Sequence, residues 1–233
     1  MGKAGKKITS SLINSKGRFA FVIPAYNHAA CVAQVIRRTK KLGFPVFVVN
    51  DGSTDNTYDE IRNIPGIRII SHEKNMGKGA ALRSGFAAAA SDADWAITID
   101  ADGQHHPEDA LNLIAAIPAS SRAIIVGARE GMQGEHVPWT SRFGRKFSNF
   151  WVWVSGGTLL SDSQSGMRIY PLPEATALPV KAQRFQFEVE ILVQAKRKGL
   201  PVLEAPVRVV YNPDGSRISH FRPFVDFVRN SLT

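Results

Sequence analysis

Cysteine is almost absent from this chain: Cys31 is the only one in 233 residues. That excludes an internal disulfide and any zinc site built on several thiolates, and it points to a reducing compartment. No stretch approaches the roughly 18 consecutive apolar residues needed to span a bilayer. The N-terminus lacks the apolar central region of a secretory signal, so export is not expected. Acidic residues are few, 20 Asp and Glu against 29 Lys and Arg, which leaves a net charge of +9. The excess is uneven. Lys3, Lys6, Lys7, Lys16 and Arg18 have no acid among them, leaving +4 for the other 215 residues. Residues 1–17 therefore read as a basic flexible leader. Its functional alternative is attraction to an anionic membrane surface, worth about 1 kcal/mol per cation near the bilayer. A second basic stretch, Arg217, His220, Arg222 and Arg229, lies near the C-terminal end. With charge concentrated in this way, a nucleic-acid-binding module is disfavoured and no nucleic acid is expected as a partner. With 44% apolar residues, what remains is enough for a substantial core. The expectation is a cytoplasmic globular protein in peripheral contact with the inner face of the membrane.

Short apolar runs alternate with amphipathic stretches. Strands are predicted at 19–23, 46–49, 67–70, 95–99 and 123–126, with helices at 29–42, 54–62, 78–90 and 107–117. Strands that are apolar on both faces and separated by helices imply a sheet covered on both sides, a Rossmann-like, doubly wound and mostly parallel α/β architecture. After Gly127 the rhythm changes. Residues 139–155 are aromatic and basic (Phe143, Phe147, Phe150, Trp151 and Trp153 with Arg142, Arg145 and Lys146) and suggest a helix with one apolar and one cationic face. A strand is predicted at 166–170, a helix at 185–198 and a strand at 202–211. With no linker and no repeat, residues 18–233 read as one domain. Its first half, to about 130, is of nucleotide-binding type, and its second half, from 131, is assigned to the acceptor.

Ligands of parallel α/β sheets sit outside the carboxyl ends of the strands. Polar turns follow each predicted strand: Pro24-Ala25-Tyr26-Asn27, Asn50-Asp51-Gly52-Ser53, Asn75-Met76-Gly77-Lys78-Gly79 and Asp100-Ala101-Asp102-Gly103-Gln104. Two carboxylates one residue apart at a strand end can both face a hard divalent cation, and Gln104 can add a third oxygen. Asp92-Ala93-Asp94 has the same pattern but precedes its strand, at the opposite edge of the sheet, and reads as a solvated loop. Asp51 is a candidate acceptor of hydrogen bonds from a nucleobase or ribose. Lys78, at a helix start between glycines, is a candidate phosphate contact. Neither a Walker loop nor a dinucleotide fingerprint nor an EF-hand is present. His105 and His106, just before a helix, read as capping or surface residues.

Taken in order, five stretches resemble glycosyltransferases of family 2 with the GT-A fold, in particular the branch of polyprenyl-phosphate (dolichyl-phosphate) mannose and glucose synthases. They are Val22-Ile23-Pro24-Ala25-Tyr26-Asn27, Val49-Asn50-Asp51-Gly52-Ser53-Thr54-Asp55, Asn75-Met76-Gly77-Lys78-Gly79, Ile99-Asp100-Ala101-Asp102-Gly103-Gln104-His105, and Asp162-Ser163-Gln164-Ser165-Gly166-Met167-Arg168. The resemblance spans about residues 19–220.

It implies a UDP- or GDP-sugar donor, held by Pro24, Tyr26, Asn27, Asp51, Gly52, Lys78, Asp100, Ala101, Asp102, Arg129 and Arg142, with Arg145 also near the phosphates. It further implies Mg²⁺ or Mn²⁺ on Asp100, Asp102 and Gln104, transfer with inversion, and a lipid or lipid-phosphate acceptor. Asp102, Arg129, Asp162 and Glu188 are the residues expected to carry catalysis. A lipid phosphate brings an anionic oxygen and needs little help from a base. A hydroxyl acceptor would need a carboxylate, with Asp162, Glu188 or Glu190 as candidates. Glu188 and Glu190 are one residue apart on a predicted helix, so they should diverge. Asn50 stands where the family often has an acid. The membrane helices that follow this domain in many relatives are missing from the sequence, so membrane contact would be peripheral. The Gln-x-x-Arg-Trp motif of processive polysaccharide synthases is absent, which argues against polymer synthesis. A nucleotidyltransferase, the alternative enzyme, would need a basic, Gly-rich loop after the first strand, and Pro24-Ala25-Tyr26-Asn27 is not one.

Overall fold

The computed structural model describes residues 15–130 and 158–210. Most of the basic leader, the aromatic segment with Arg142 and Arg145, and the basic C-terminal stretch lie outside the described residues. The elements are β1 (Phe19–Ala25), α1 (Val32–Lys40), β2 (Val46–Asn50), α2 (Thr57–Arg62), β3 (Arg68–Ser71), α3 (Lys78–Ala89) and β4 (Trp95–Thr98). A 3₁₀ turn (Pro107–Asp109) then runs into α4 (Ala110–Ala115), followed by β5 (Ile124–Arg129), β6 (Arg168–Pro171), α5 (Leu172–Ala177), α6 (Phe187–Arg197) and β7 (Val202–Val207).

The seven strands form one sheet in the order β3-β2-β1-β4-β6-β5-β7. Neighbours run parallel except at β6, which is antiparallel to both β4 and β5. The mostly parallel, doubly wound sheet is thus as expected. The direction of β6 is not visible in a short apolar run, because the path of the chain around it decides direction. Helix α5 has no counterpart among the predicted elements. It opens at Pro171-Leu172-Pro173, and proline, which interrupts a helix elsewhere, is tolerated in the first turn, where its missing N–H has no partner to lose.

Alternation along β1 sends Phe21 and Ile23 to one face, where they join Val32 and Ile36 of α1 and Leu113 and Ile114 of α4. Ala20 and Val22 face the other side, with Leu82 and Phe86 of α3 and Ile191 and Leu192 of α6. Both faces of the sheet are therefore sealed, which is why its strands read as unbroken apolar runs.

The sheet order places a topological switch point between β1 and β4, since β2 and β3 lie on one side of β1 and β4 on the other. The β1–β4 ladder covers Phe19–Val22 only, whereas the β1–β2 ladder continues to Ala25. Pro24, which cannot donate to a ladder, falls beyond the last β4 pairing. β1 and β4 part there, and the loops after them, carrying Tyr26 and Asp100 to Asp102, border the opening.

Candidate active site

Asp100 and Asp102 follow β4 at this opening. Asp100 Oδ1 lies 2.7 Å from Nζ of Lys78, the first residue of α3. Its carboxylate rests on Gly166, where any Cβ would overlap it. Asp102 turns back on its own loop, accepting the Gln104 N–H at 3.0 Å. The two carboxylates titrate in opposite directions. Burial and the neighbouring Asp100 charge push Asp102 up to about 6. Partial burial opposes the charge on Asp100 as well, yet the Lys78 ammonium holds it below the ordinary carboxylate range.

The same ammonium lies 2.9 Å from Glu188 Oε1 on α6, and burial is overridden by the two carboxylates, which keep Lys78 above its usual range. The sequence suggests that Lys78 reaches for a phosphate; in the structure its ammonium bridges two acids of this chain. Glu188 and Glu190 do diverge: Glu190 accepts the backbone N–H groups of Lys181 and Ala182 at 3.1 and 2.8 Å.

Among the described residues, no three His, Cys, Asp or Glu side chains are gathered closely enough to enclose a metal by themselves. The acids at 100 and 102 nevertheless suit a hard cation. They supply oxygen donors, and the raised Asp102 marks negative charge that its surroundings leave uncompensated. Gln104 donates its N–H to Asp102 and accepts the Val210 N–H at 2.8 Å, which fixes the loop.

The Asp162–Arg168 stretch is organised around two guanidinium groups. Asp162, fully buried, accepts Arg129 Nε at 2.6 Å and Nη2 at 2.9 Å. Glu204 on β7 fixes the loop that carries Asp162 by accepting the Ser161 and Asp162 N–H groups at 2.9 and 3.0 Å. Arg168, fully buried on β6, donates to the carbonyls of Ser163, Ser165 and Glu188 at 2.8, 2.7 and 2.8 Å and to the Tyr170 hydroxyl at 3.2 Å. The motif thus locks residues 162–168, which lead into β6, to α6 and brings Gly166 under Asp100.

Across the opening, Asp51 accepts three bonds from its own chain: His72 Nδ1 at 2.7 Å, Met76 N–H at 2.9 Å and Gly77 N–H at 2.8 Å. His72 Nε2 in turn lies 2.9 Å from the Ser84 hydroxyl. A carboxylate has about four lone-pair positions, so most of its accepting capacity is used within the fold. Gly52 beside it has φ +65°, and a Cβ there would strike the Lys74–Asn75 backbone, so the loop before α3 passes close over the β2 turn. Asn27, at φ 55°, ties the β1 loop to the β2 loop by accepting the Thr54 N–H at 2.8 Å. Pro24 is buried and Tyr26 half-buried at the end of β1, and Ala101 is buried between the acids. Arg142 and Arg145 lie outside the described residues.

His105 differs from expectation. It is buried rather than on the surface, because its backbone bridges to Val209 beside β7 and pulls the ring inward, where burial lowers it to about 4 and keeps it neutral. His106 does stand at the start of the 3₁₀ turn, 3.1 Å from Arg38. Asp94 sits before β4, at the other edge of the sheet, paired with Arg18 at 3.1 Å. His72 follows the third predicted strand, but the sequence assigns it no role; sequence reasoning missed Glu204 and the part played by Gly166. Only the Ser-Gly of the last motif hinted at any of these.

Residues 20–171 match Glycosyl transferase family 2. The chain belongs to this family. It is therefore a glycosyltransferase, similar to the polyprenyl-phosphate sugar synthases within family 2. A UDP-N-acetylglucosamine–dolichyl-phosphate N-acetylglucosaminyltransferase of Methanococcus voltae is 30% identical over 212 residues, covering 82% of this chain and 84% of that protein. A dolichyl-phosphate β-glucosyltransferase of Trichomonas vaginalis is 29% identical, covering 80% of this chain and 62% of that protein. The fold is also that of a glucosyl-3-phosphoglycerate synthase from Mycobacterium tuberculosis solved with Mn²⁺, UDP and phosphoglyceric acid (TM-score 0.71, 22% identity, covering 96% of this chain and 78% of that one). Among the described residues, no helix of this family 2 chain is long and apolar enough to cross a membrane.

Proposed function

We propose that the protein is a metal-dependent, inverting glycosyltransferase that moves a sugar from a nucleotide-diphospho-sugar to a lipid-linked phosphate acceptor. One observation carries this reading: the Asp100/Asp102 pair at the β1–β4 switch point, with Asp102 raised to about 6 by burial and its neighbour. Asp102, with Asp100 and Gln104 beside it, would hold Mg²⁺ or Mn²⁺ against the diphosphate. The metal supplies the positive charge that stabilises the leaving nucleoside diphosphate. Pro24, Tyr26 and the β2 turn around Asp51 and Gly52 border the nucleoside side of the cleft. Arg129, oriented by Asp162, would line the phosphate side.

The choice of a phosphate acceptor has its own support. The three carboxylates that the sequence offers for taking a proton from a hydroxyl are each engaged: Asp162 by Arg129, Glu188 by Lys78, and Glu190 by backbone N–H groups. An acceptor whose oxygen is already anionic needs none of them. The two relatives named for dolichyl phosphate point the same way. A lipid end would bring the protein to a membrane surface, where the basic leader is a fitting contact.

Calorimetric titration with UDP and UDP-sugars, then GDP and GDP-sugars, with and without Mn²⁺, tests the reading. Metal-dependent binding that disappears in Asp102→Asn and persists in Asp94→Ala is expected. If Asp94→Ala destroys binding while Asp102→Asn leaves it intact, the site has been placed at the wrong edge of the sheet.

A further inference from the structure

Asp100, one member of the acid pair, already has a cation. The Lys78 ammonium lies 2.7 Å from Asp100 and 2.9 Å from Glu188, and its side chain is 13% exposed. It joins the start of α3, the end of β4 and helix α6, three elements brought together only by the fold. The remaining side of the Asp100 carboxylate is closed by Gly166. No third acid or imidazole completes a metal cage among the described residues.

We propose that Lys78 excludes free divalent metal from the acid pair and gives way only when metal and diphosphate arrive together. The inference rests on the nucleotide-sugar reading above. A divalent ion on Asp102 within reach of Asp100 would face the ammonium at close range in a poorly solvated cleft, where like charges repel strongly. A bare ion gains two carboxylates there but must displace or tolerate a charge that is already satisfied. A diphosphate changes both sides of this balance. It neutralises the metal, and its oxygens offer the ammonium a new anionic partner in exchange for Asp100. Glu188 keeps the ammonium at the wall of the site during that exchange, so Lys78 need not swing into water. Metal affinity and nucleotide affinity then become linked, each raising the other by the same factor.

Binding of Mn²⁺ to the full chain, followed by the electron paramagnetic resonance signal of the free ion, tests this with and without UDP. The wild type is expected to bind Mn²⁺ weakly alone and tightly with UDP. Lys78→Met should bind Mn²⁺ without UDP at least about tenfold more tightly than the wild type, because the repelling charge is gone. The gain from adding UDP should shrink accordingly. Lys78→Gln, which can still hydrogen-bond between the two carboxylates, provides a second neutral variant if the methionine variant does not fold. Lys78→Arg keeps the charge and should remain as resistant to free Mn²⁺ as the wild type. Unchanged or weaker Mn²⁺ binding in the neutral variants overturns the inference, as does an arginine variant that binds like them. If GDP rather than UDP enhances Mn²⁺ binding in the wild type, the same comparison is made with GDP; if neither does, the nucleotide-sugar reading itself falls. Enhancement by UDP without any gain in the neutral variants removes only the role given to Lys78.

Discussion

Asp162 grips Arg129 with both carboxylate oxygens, 2.6 Å to Nε and 2.9 Å to Nη2, and does so fully buried. The same carboxylate also accepts the Arg129 N–H at 3.2 Å. A carboxylate held in this way is an anchor, with both oxygens committed to the ion pair rather than to a substrate.

Asp162→Asn separates the two roles. A general base replaced by its neutral isostere leaves stability unchanged or raises it, since catalytic groups are often a burden on the fold. An anchor replaced in the same way leaves a largely buried guanidinium without its counter-charge, at a cost of about 3 kcal/mol. Denaturant unfolding of Asp162→Asn is expected to show a loss of that order, together with lower transfer activity. Reduced activity at undiminished stability would return Asp162 to the list of bases.

Asp51 yields a similar test on the other side of the cleft. It accepts His72 and two N–H groups of the loop leading into α3, and the Gly77 N–H among them is buried. In Asp51→Ala that donor loses its acceptor, which costs about 1–3 kcal/mol. Lys78, the next residue, would lose its fixed position with it. The expected result is a lower unfolding midpoint, faster hydrogen exchange at Gly77, and weakened nucleotide binding. If nucleotide binding alone suffers, Asp51 serves the base and does not hold the loop.

The sheet was legible because its strands are buried on both faces, and the apolar runs at 19–23, 46–49 and 95–99 fall where β1, β2 and β4 lie. The Asp100/Asp102 pair was legible because position relative to a strand separates it from Asp92 and Asp94. Partnerships were not. Lys78 with Glu188, Asp162 with Arg129, and Glu204 with Ser161 each join residues far apart in the chain, and no local pattern encodes them. His105 was misjudged for the same reason, since its burial follows from a bridge to Val209 near the far end of the described chain. A helix with proline in its first turn escaped because proline's meaning depends on a boundary that only the fold reveals.

Gly166 shows how a residue without a side chain can position the chemistry of one that has one. It is buried beneath Asp100, and a Cβ added to it would meet both carboxylate oxygens. The backbone there is not free to retreat, because Arg168 two residues on is fixed by the carbonyls of Ser163, Ser165 and Glu188. In Gly166→Ala the carboxylate must therefore move, and it must leave Lys78 to do so. The methyl group adds no charge and φ at this position is not in the left-handed region, so the fold should persist with a modest loss of stability. The rate of sugar transfer should fall far more, by about a hundredfold, as expected when a group in the site is shifted by about 1 Å. Measured side by side, circular dichroism close to that of the wild type and a turnover number reduced by that order would match this account. A Gly166→Ala protein with wild-type turnover would mean that the position of Asp100 does not matter to the reaction.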